Sequence, residues 1–312
     1  MRIFRFPVTL VIALGWLPGT AGAAMYYLPP AEFSLVGMEM SVTALQQDTL
    51  IDIARRNDVG QEAIVLANPE VDRWLPGAGT RVVLPSRHIL PDAPREGLVL
   101  NLPEMRVYYY PKPARGEEPV VYSFPVGIGR MDWETPLGET RVISKQKDPS
   151  WTPPESIRRE HAEQGDPLPR VVPPGPDNPL GRYALRLGIP GYLMHGTNKE
   201  FGVGMQVSHG CVRLLPENIE TLYETVPVGT PVRIINQPVK VGWYGDELYI
   251  QVYPPLEGAS PEHSDLYTLA ENAVDAALFQ RPTSINVAAI ERELARPSGL
   301  PVKISGSRIP VY

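Results

Sequence analysis

Proline sets the first limit on this chain. Of its 36 prolines, nine fall between Pro149 and Pro179. A proline fixes φ and lacks an N–H, so it breaks helices and is excluded from central strands. The stretch Asp148 to Asn178 is therefore expected to hold neither regular helix nor central strand and to form one long ordered loop. A stretch of that kind inside a compact domain is a functional lid or else a linker. Apolar, strand-like segments lie on both sides of it, which favours a lid within one domain, at 148–178.

The remaining composition is that of a globular protein. The 312 residues are 43% hydrophobic and 21% charged, and at roughly 100 to 200 residues per domain they predict two domains, with three short ones possible. A formal net charge of −6 and a pI near 5.5 exclude a nucleic-acid partner, because that binding needs clustered positive charge. At the N-terminus, Arg2 and Arg5 precede an apolar run from Phe6 to Leu17 and the small residues Ala21-Gly22-Ala23. This pattern predicts a cleaved signal peptide at 1–23 and export; the apolar run is broken by Pro7 and falls short of a membrane span. In an exported chain the single cysteine, Cys211, can form no internal disulfide, so it is either a small buried hydrophobe or a reactive thiol.

Periodicity divides the chain beyond the leader. Between 34 and 85 the pattern reads strand, helix, helix, strand. Asp48 is the expected N-cap of a helix carrying Leu50, Ile53 and Ala54, Gly60 precedes a second helix carrying Ile64, and Met38 to Ala44 and Thr80 to Leu84 are the flanking strands. From about residue 96 to 236 strands dominate. Leu98, Leu100 and Leu102 alternate ahead of a Pro103-Glu104-Met105 corner and Val107 to Tyr110, which predicts a hairpin. Val120 to Val126, Thr140 to Ser144, Leu185 to Leu187 and Val232 to Ile235 are further strands, and Pro216 to Val226 is a helix. The segment 240–312 reads as a hairpin around Gly245-Asp246 followed by two helices.

Cys211 does not stand alone. His195-Gly196-Thr197 and Ser208-His209-Gly210-Cys211-Val212-Arg213 are joined by a glycine-containing connection, with His209 placed 14 residues after His195. A cysteine nucleophile needs an imidazole to take its proton, a group to orient that imidazole, and donors for an oxyanion. Two histidines and several glycines supply such parts. Zinc is the weaker alternative, with His195, His209 and Cys211 as ligands, because the chain has no C-x-x-C pair and an i, i+2 pair fits a tetrahedron poorly. Phosphotransfer on the cysteine is weaker still, since Arg213 follows too closely for an anion cradle. His88, His161 and His263 lie outside any motif and are expected to be solvated or structural.

Two resemblances add to this reading. Asp48 to Pro69, with Leu75-Pro76-Gly77 and Thr80 to Pro85, resembles a LysM module, although Gln47 stands where that family usually has glycine. The resemblance implies binding to glycan strands containing N-acetylglucosamine. His195 with Ser208-His209-Gly210-Cys211 resembles the signature of YkuD-type L,D-transpeptidases. The likeness extends through Phe124 to Gly129, Thr135-Pro136-Leu137-Gly138, Trp151-Thr152-Pro153, Val172 to Leu180 and Val226 to Thr230, and is greatest to the enterobacterial ErfK/YbiS/YcfS/YnhG subgroup. It implies a mostly β chain: a β-sandwich-like catalytic domain at 96–236, preceded by the βααβ module at 34–85 and followed by a C-terminal hairpin and helices.

The same resemblance implies a periplasmic enzyme without a metal or organic cofactor, acting on peptidoglycan stem peptides. Cys211 would be the nucleophile and His195 its base, oriented by the Gly196 carbonyl, with His209 and Gly210 lining an oxyanion hole. Arg213, Ser208 and Trp151 would hold the loop or contact substrate. The acceptor would be a diaminopimelate amine, a murein lipoprotein lysine or, in an L,D-carboxypeptidase, water. A non-catalytic peptidoglycan anchor is the rival outside enzymes.

Overall fold

A computed structural model describes residues 24–306. The expected signal peptide lies outside them. The centre of the chain is a nine-stranded sheet in the order Ala24–Tyr27, Val120–Pro125, Arg106–Tyr110, Gly97–Asn101, Pro231–Ile235, Gly138–Lys147, Tyr183–Leu187, Leu193–His195, Val212–Arg213. The long strand Gly138–Lys147 pairs with Pro231–Ile235 through its first half and with Tyr183–Leu187 through its second, and its register breaks between Val142 and Ser144. A bulge of this kind bends a strand. The sheet curls there, and its two halves share one core in the sandwich-like manner expected. That core holds Leu98, Leu100, Val107 and Phe124 from one half and Leu185, Leu187, Met194 and Val212 from the other. Ile219 and Leu222 of the helix Pro216–Thr225 join it.

The alternation predicted at Leu98, Leu100 and Leu102 accounts for only one face. Val99, Tyr108 and Tyr110 point to the opposite side and pack with Val36, Leu90 and Val121 in a second core. Strand side chains alternate between faces, and here both faces are covered, so Gly97–Asn101 is buried throughout. The strand Ala24–Tyr27 extends the sheet beyond Val120–Pro125, and its Tyr26 packs against this second core. Sequence patterning alone starts the folded chain only at residue 34.

Within 34–85, Met40–Thr43 pairs antiparallel with Arg81–Leu84 around the helices Leu50–Arg56 and Gln61–Ala67, while a strand ahead of them, Leu35–Gly37, pairs outside that range with Arg87–Ile89. Leu50, Ile53, Ala54 and Ile64 are buried with Val82 and Leu84. The helix N-cap is Thr49, not Asp48. Thr49 and Asp52 form a reciprocal capping box, worth about 1 kcal/mol, whereas Asp48 is buried, accepts from the Leu45 amide and pairs with Arg56. The C-terminal unit is a three-stranded sheet, Val239–Tyr244, Glu247–Val252 and Val302–Lys303, covered by the helices Leu266–Gln280 and Val287–Ala295. No helix among the described residues is long and apolar enough to cross a membrane.

The proline-rich stretch departs from expectation. Residues Glu155–Glu163 within it form an α-helix. Its prolines cluster at the two ends, leaving Glu155 to Asp166 free of them, and Pro154 sits at the N-cap, where a missing N–H costs nothing. The neck of the stretch is closed by backbone bonds between Trp151 and Val172 and by the buried Asn178 amide, which donates to the Pro149 carbonyl.

Candidate active site

Strand order brings the two motif blocks together. Leu193–His195 runs parallel to Val212–Arg213, with Met194 opposite Val212 and His195 opposite Arg213. A parallel pair needs a crossover connection, and residues 196–211 are that crossover. It includes the strand Gln206–Ser208, which pairs with Ile128–Gly129. His195 and Cys211 therefore lie near each other across two adjacent strands rather than along one helix or loop.

The Ser208-His209-Gly210-Cys211 turn is braced by hydroxyls. Ser208 Oγ donates to the Cys211 carbonyl at 2.5 Å, and Thr135 Oγ1 donates to the Gly210 carbonyl at 2.9 Å while accepting from the Gly129 amide. Gly210 has φ +93, and a Cβ there would lie 2.9 Å from the Tyr192 ring, so both backbone and space call for glycine. Among the described residues, the amides of His209, Gly210 and Cys211 donate to no carbonyl or side chain.

His195 is 4% exposed, and its Nδ1 lies 2.6 Å from the Gly196 carbonyl. A carbonyl only accepts, so Nδ1 carries the proton and Nε2 keeps its lone pair. Burial, reinforced by the Arg213 charge, pushes the imidazole down to about 4. Burial pushes the Cys211 thiol up, against smaller opposing effects of the Leu193 amide and Arg213. Both partners are thus neutral at rest. The thiol's own hydrogen-bond contact is the Gly191 carbonyl at 3.7 Å.

His209 is differently placed. Its Nε2 lies 3.0 Å from Glu160 Oε2, and its ring meets Trp133 edge-on at 5.5 Å. Arg130 Nη2 donates to the other oxygen of Glu160 at 2.8 Å. Glu160 belongs to the helix in the proline-rich stretch, so it is this residue that ties the stretch to the motif turn. Trp151 instead pairs through its backbone at the neck. His195, His209 and Cys211 do not form a metal-holding group among the described residues. Arg213, bonded through its backbone to Gly127, is half-buried beside His195.

Residues 95–234 match the family model of the L,D-transpeptidase catalytic domain. Over 310 residues the chain is 40% identical to a probable L,D-transpeptidase, ErfK/SrfK, of Escherichia coli K12, covering 97% of this chain and 98% of that one. The chain belongs to the L,D-transpeptidase family. Another member, the probable L,D-transpeptidase YcfS of the same organism, is 39% identical over 97% of this chain and 94% of its own. L,D-transpeptidase 3 from Mycobacterium tuberculosis, a solved structure, overlaps 69% of this chain and 98% of its own at 20% identity and a TM-score of 0.32.

Within this L,D-transpeptidase, sequence reasoning missed the residues that hold the motif in shape. Thr135 lies in a segment that resembles the family but whose pattern assigns it no role, and its bond to the Gly210 carbonyl supplies one. Glu160 and Arg130 carried no signal at all, because the contacts of Glu160 with His209 and with Arg130 span 49 and 30 residues.

Proposed function

We propose that this enzyme is exported to the bacterial envelope and there cleaves and rejoins peptidoglycan tetrapeptide stems through a thioester on Cys211. The observation that carries the reading is the tautomer of His195. With Nδ1–H committed to Gly196, Nε2 keeps a free lone pair on the strand paired with the one that follows Cys211, and this makes it the base that takes the thiol proton.

The reaction begins with the stem's third-to-fourth amide against Cys211. The thiol proton passes to His195 Nε2 as Sγ bonds to the carbonyl carbon, and the oxyanion is met by the free amides at 209–211. Collapse breaks the C–N bond. The leaving amine of D-alanine takes the proton from the imidazolium, an easy donor because burial disfavours its charge. An acceptor amine then gives a proton to Nε2 and attacks the thioester, and the thiolate leaves and is reprotonated. No step calls for a metal or organic cofactor. The acceptor is a diaminopimelate side-chain amine of another stem, or the C-terminal lysine of a murein lipoprotein.

The module at 34–85 brings the enzyme to glycan strands. In support, Leu45, Trp74 and Leu75 expose large apolar surface on the loops flanking its helices, the kind of surface on which sugar rings stack. The stretch 148–178 serves as a lid anchored by Glu160, and Arg213 and Ser208 hold the nucleophile loop.

The test is incubation of the full chain with a tetrapeptide stem. Release of D-alanine together with a cross-linked dimer is expected, and Cys211→Ala should give neither. D-alanine release with no dimer, and with no adduct to any added amine, would make the protein a carboxypeptidase. Activity persisting in Cys211→Ala would remove the thiol from the mechanism.

A further inference from the structure

The N-terminal module does more than sit beside the catalytic domain. Its contacts fall on the two ends of the nucleophile segment. On the entering side, the amides of Gln61 and Glu62 donate to the Val203 and Gly204 carbonyls at 3.4 and 3.1 Å, and Gln61 Nε2 donates to the Phe201 carbonyl at 3.2 Å. Gly60 and Gly204 pack backbone to backbone. A Cβ on Gly204, whose φ is +80, would lie 2.3 Å from the Gln61 nitrogen. On the leaving side, the helix that follows Arg213 presents Glu217 and Asn218. Arg55 donates to both oxygens of Glu217, at 2.6 and 3.2 Å, and also pairs with Glu200 on the entering side. Asn218 Nδ2 donates to the buried Asp58 at 2.6 Å.

Arg55 thus bridges residues 200 and 217, which bracket Ser208 to Cys211 in the chain. The crossover between His195 and Cys211 has few ladder bonds of its own; Gly204 and Met205 contact the sheet at Val126 and Ile128. Toward its C-terminal end it is held by the Ile128–Gly129 pairing, by Thr135 and by Glu160, whereas at Glu200 to Gly204 its fixed points come from the module.

We propose that Arg55 and the Gly60–Gly204 contact are positioning elements of the active site, holding the 196–211 crossover so that Cys211 and His195 keep their mutual geometry. The inference rests on Cys211 being the acylated residue. Reactions that depend on oriented groups lose rate steeply when those groups shift by an ångström, and a guanidinium fork fixes direction where a point charge does not.

The experiment uses the full chain and a carbapenem, with the acylation of Cys211 resolved into a binding constant and a first-order rate. Arg55→Ala should slow the first-order step by about tenfold with little change in binding, and Arg55→Lys should recover part of the loss. The acid limb of the pH profile should also move in Arg55→Ala, because His195 owes its low pKa to burial and to Arg213, both set by the crossover. An interface that only adds stability would lower the melting temperature and leave the rate and limb of the folded enzyme unchanged. Gly204→Ala should have the larger effect. Should it fail to fold, Arg55→Ala, whose side chain is partly exposed, decides the matter. A wild-type rate and pH limb in folded Arg55→Ala would overturn the proposal. Failure of the wild type itself to acylate at Cys211 would instead overturn the reading of the site.

Discussion

His195 and His88 are buried almost equally, 4% and 2% exposed, and burial pushes both imidazoles down to about 4. Their surroundings differ in what they do with the ring. His195 has Nδ1 locked on a carbonyl and lies on the strand next to the one that follows Cys211. His88 sits where the module, the catalytic sheet and the C-terminal hairpin meet. Its Nδ1 is 3.5 Å from Glu104, at the edge of hydrogen-bond range, and neither nitrogen has a well-formed partner. Glu104 is already served there by Lys240 at 2.7 Å and by Tyr108 and Asn101. The nearby cations Arg106 and Lys240 help keep His88 neutral. A depressed pKa alone therefore does not mark a catalytic base; the proposed role of His195 rests on its fixed tautomer and its place on the strand beside Cys211.

Substitution should separate the two regions, and a like response from both would break the contrast. His195→Ala should slow acylation of Cys211 by about 10² to 10⁴-fold, with the fold retained by circular dichroism. Lys240→Met should do the opposite. It strands the Glu104 carboxylate in a buried site and should cost about 3 to 5 kcal/mol in denaturant unfolding, while the acylation rate measured well below the melting point stays near wild type.

Acid should act on both histidines. Each folded-state pKa lies below the unfolded value, so between about pH 6.5 and 4 the unfolded chain binds protons that the folded chain refuses. The stability from keeping each ring neutral is whole above pH 6.5 and lost as pH falls through 4, up to about 3 kcal/mol per ring. Melts across that range should show an uptake of protons on unfolding that falls by up to about one in His88→Leu. The acylation rate of the folded enzyme should hold down to about pH 4, where Nε2 becomes protonated. A rate limb near 6.5 would contradict the neutral resting pair.

Smaller effects sharpen the contrast. Glu160→Ala frees His209 and should slow stem-peptide turnover several-fold, with less effect on a small carbapenem. The Glu160 contacts are partly solvent-exposed, so the melting temperature should barely move. His88→Leu should leave acylation unchanged.

Much of the fold is legible in the residues alone. Period-two patterning marks the central strands and helical spacing the helix Pro216–Thr225, because buried apolar side chains repeat with the geometry of the element that buries them; turn residues at Gly245-Asp246 mark the C-terminal hairpin. The His195 and Cys211 blocks are legible because their chemistry is carried by the side chains themselves. The features that escape depend on contacts distant in sequence. The helix Glu155–Glu163 is masked by the proline content of the stretch as a whole, although the prolines lie only at its two ends. Asp48 and Thr49 are both good caps, and the choice falls to Thr49 because Arg56 and the Leu45 amide take Asp48. The strand Ala24–Tyr27 is too short to announce itself without its partner. The docking of Gln61 on Val203 and Gly204 joins backbone to backbone, which leaves no mark on residue type beyond the two glycines.

The central claim is that Cys211, served by His195, takes the acyl group. Intact-mass spectrometry of the full chain mixed with a carbapenem at neutral pH tests it most directly. A single adduct on the wild type, mapped to the peptide containing Cys211, slow to form in His195→Ala and absent from Cys211→Ala, is the predicted result. An adduct that survives in Cys211→Ala, or a wild type that forms none, would contradict it.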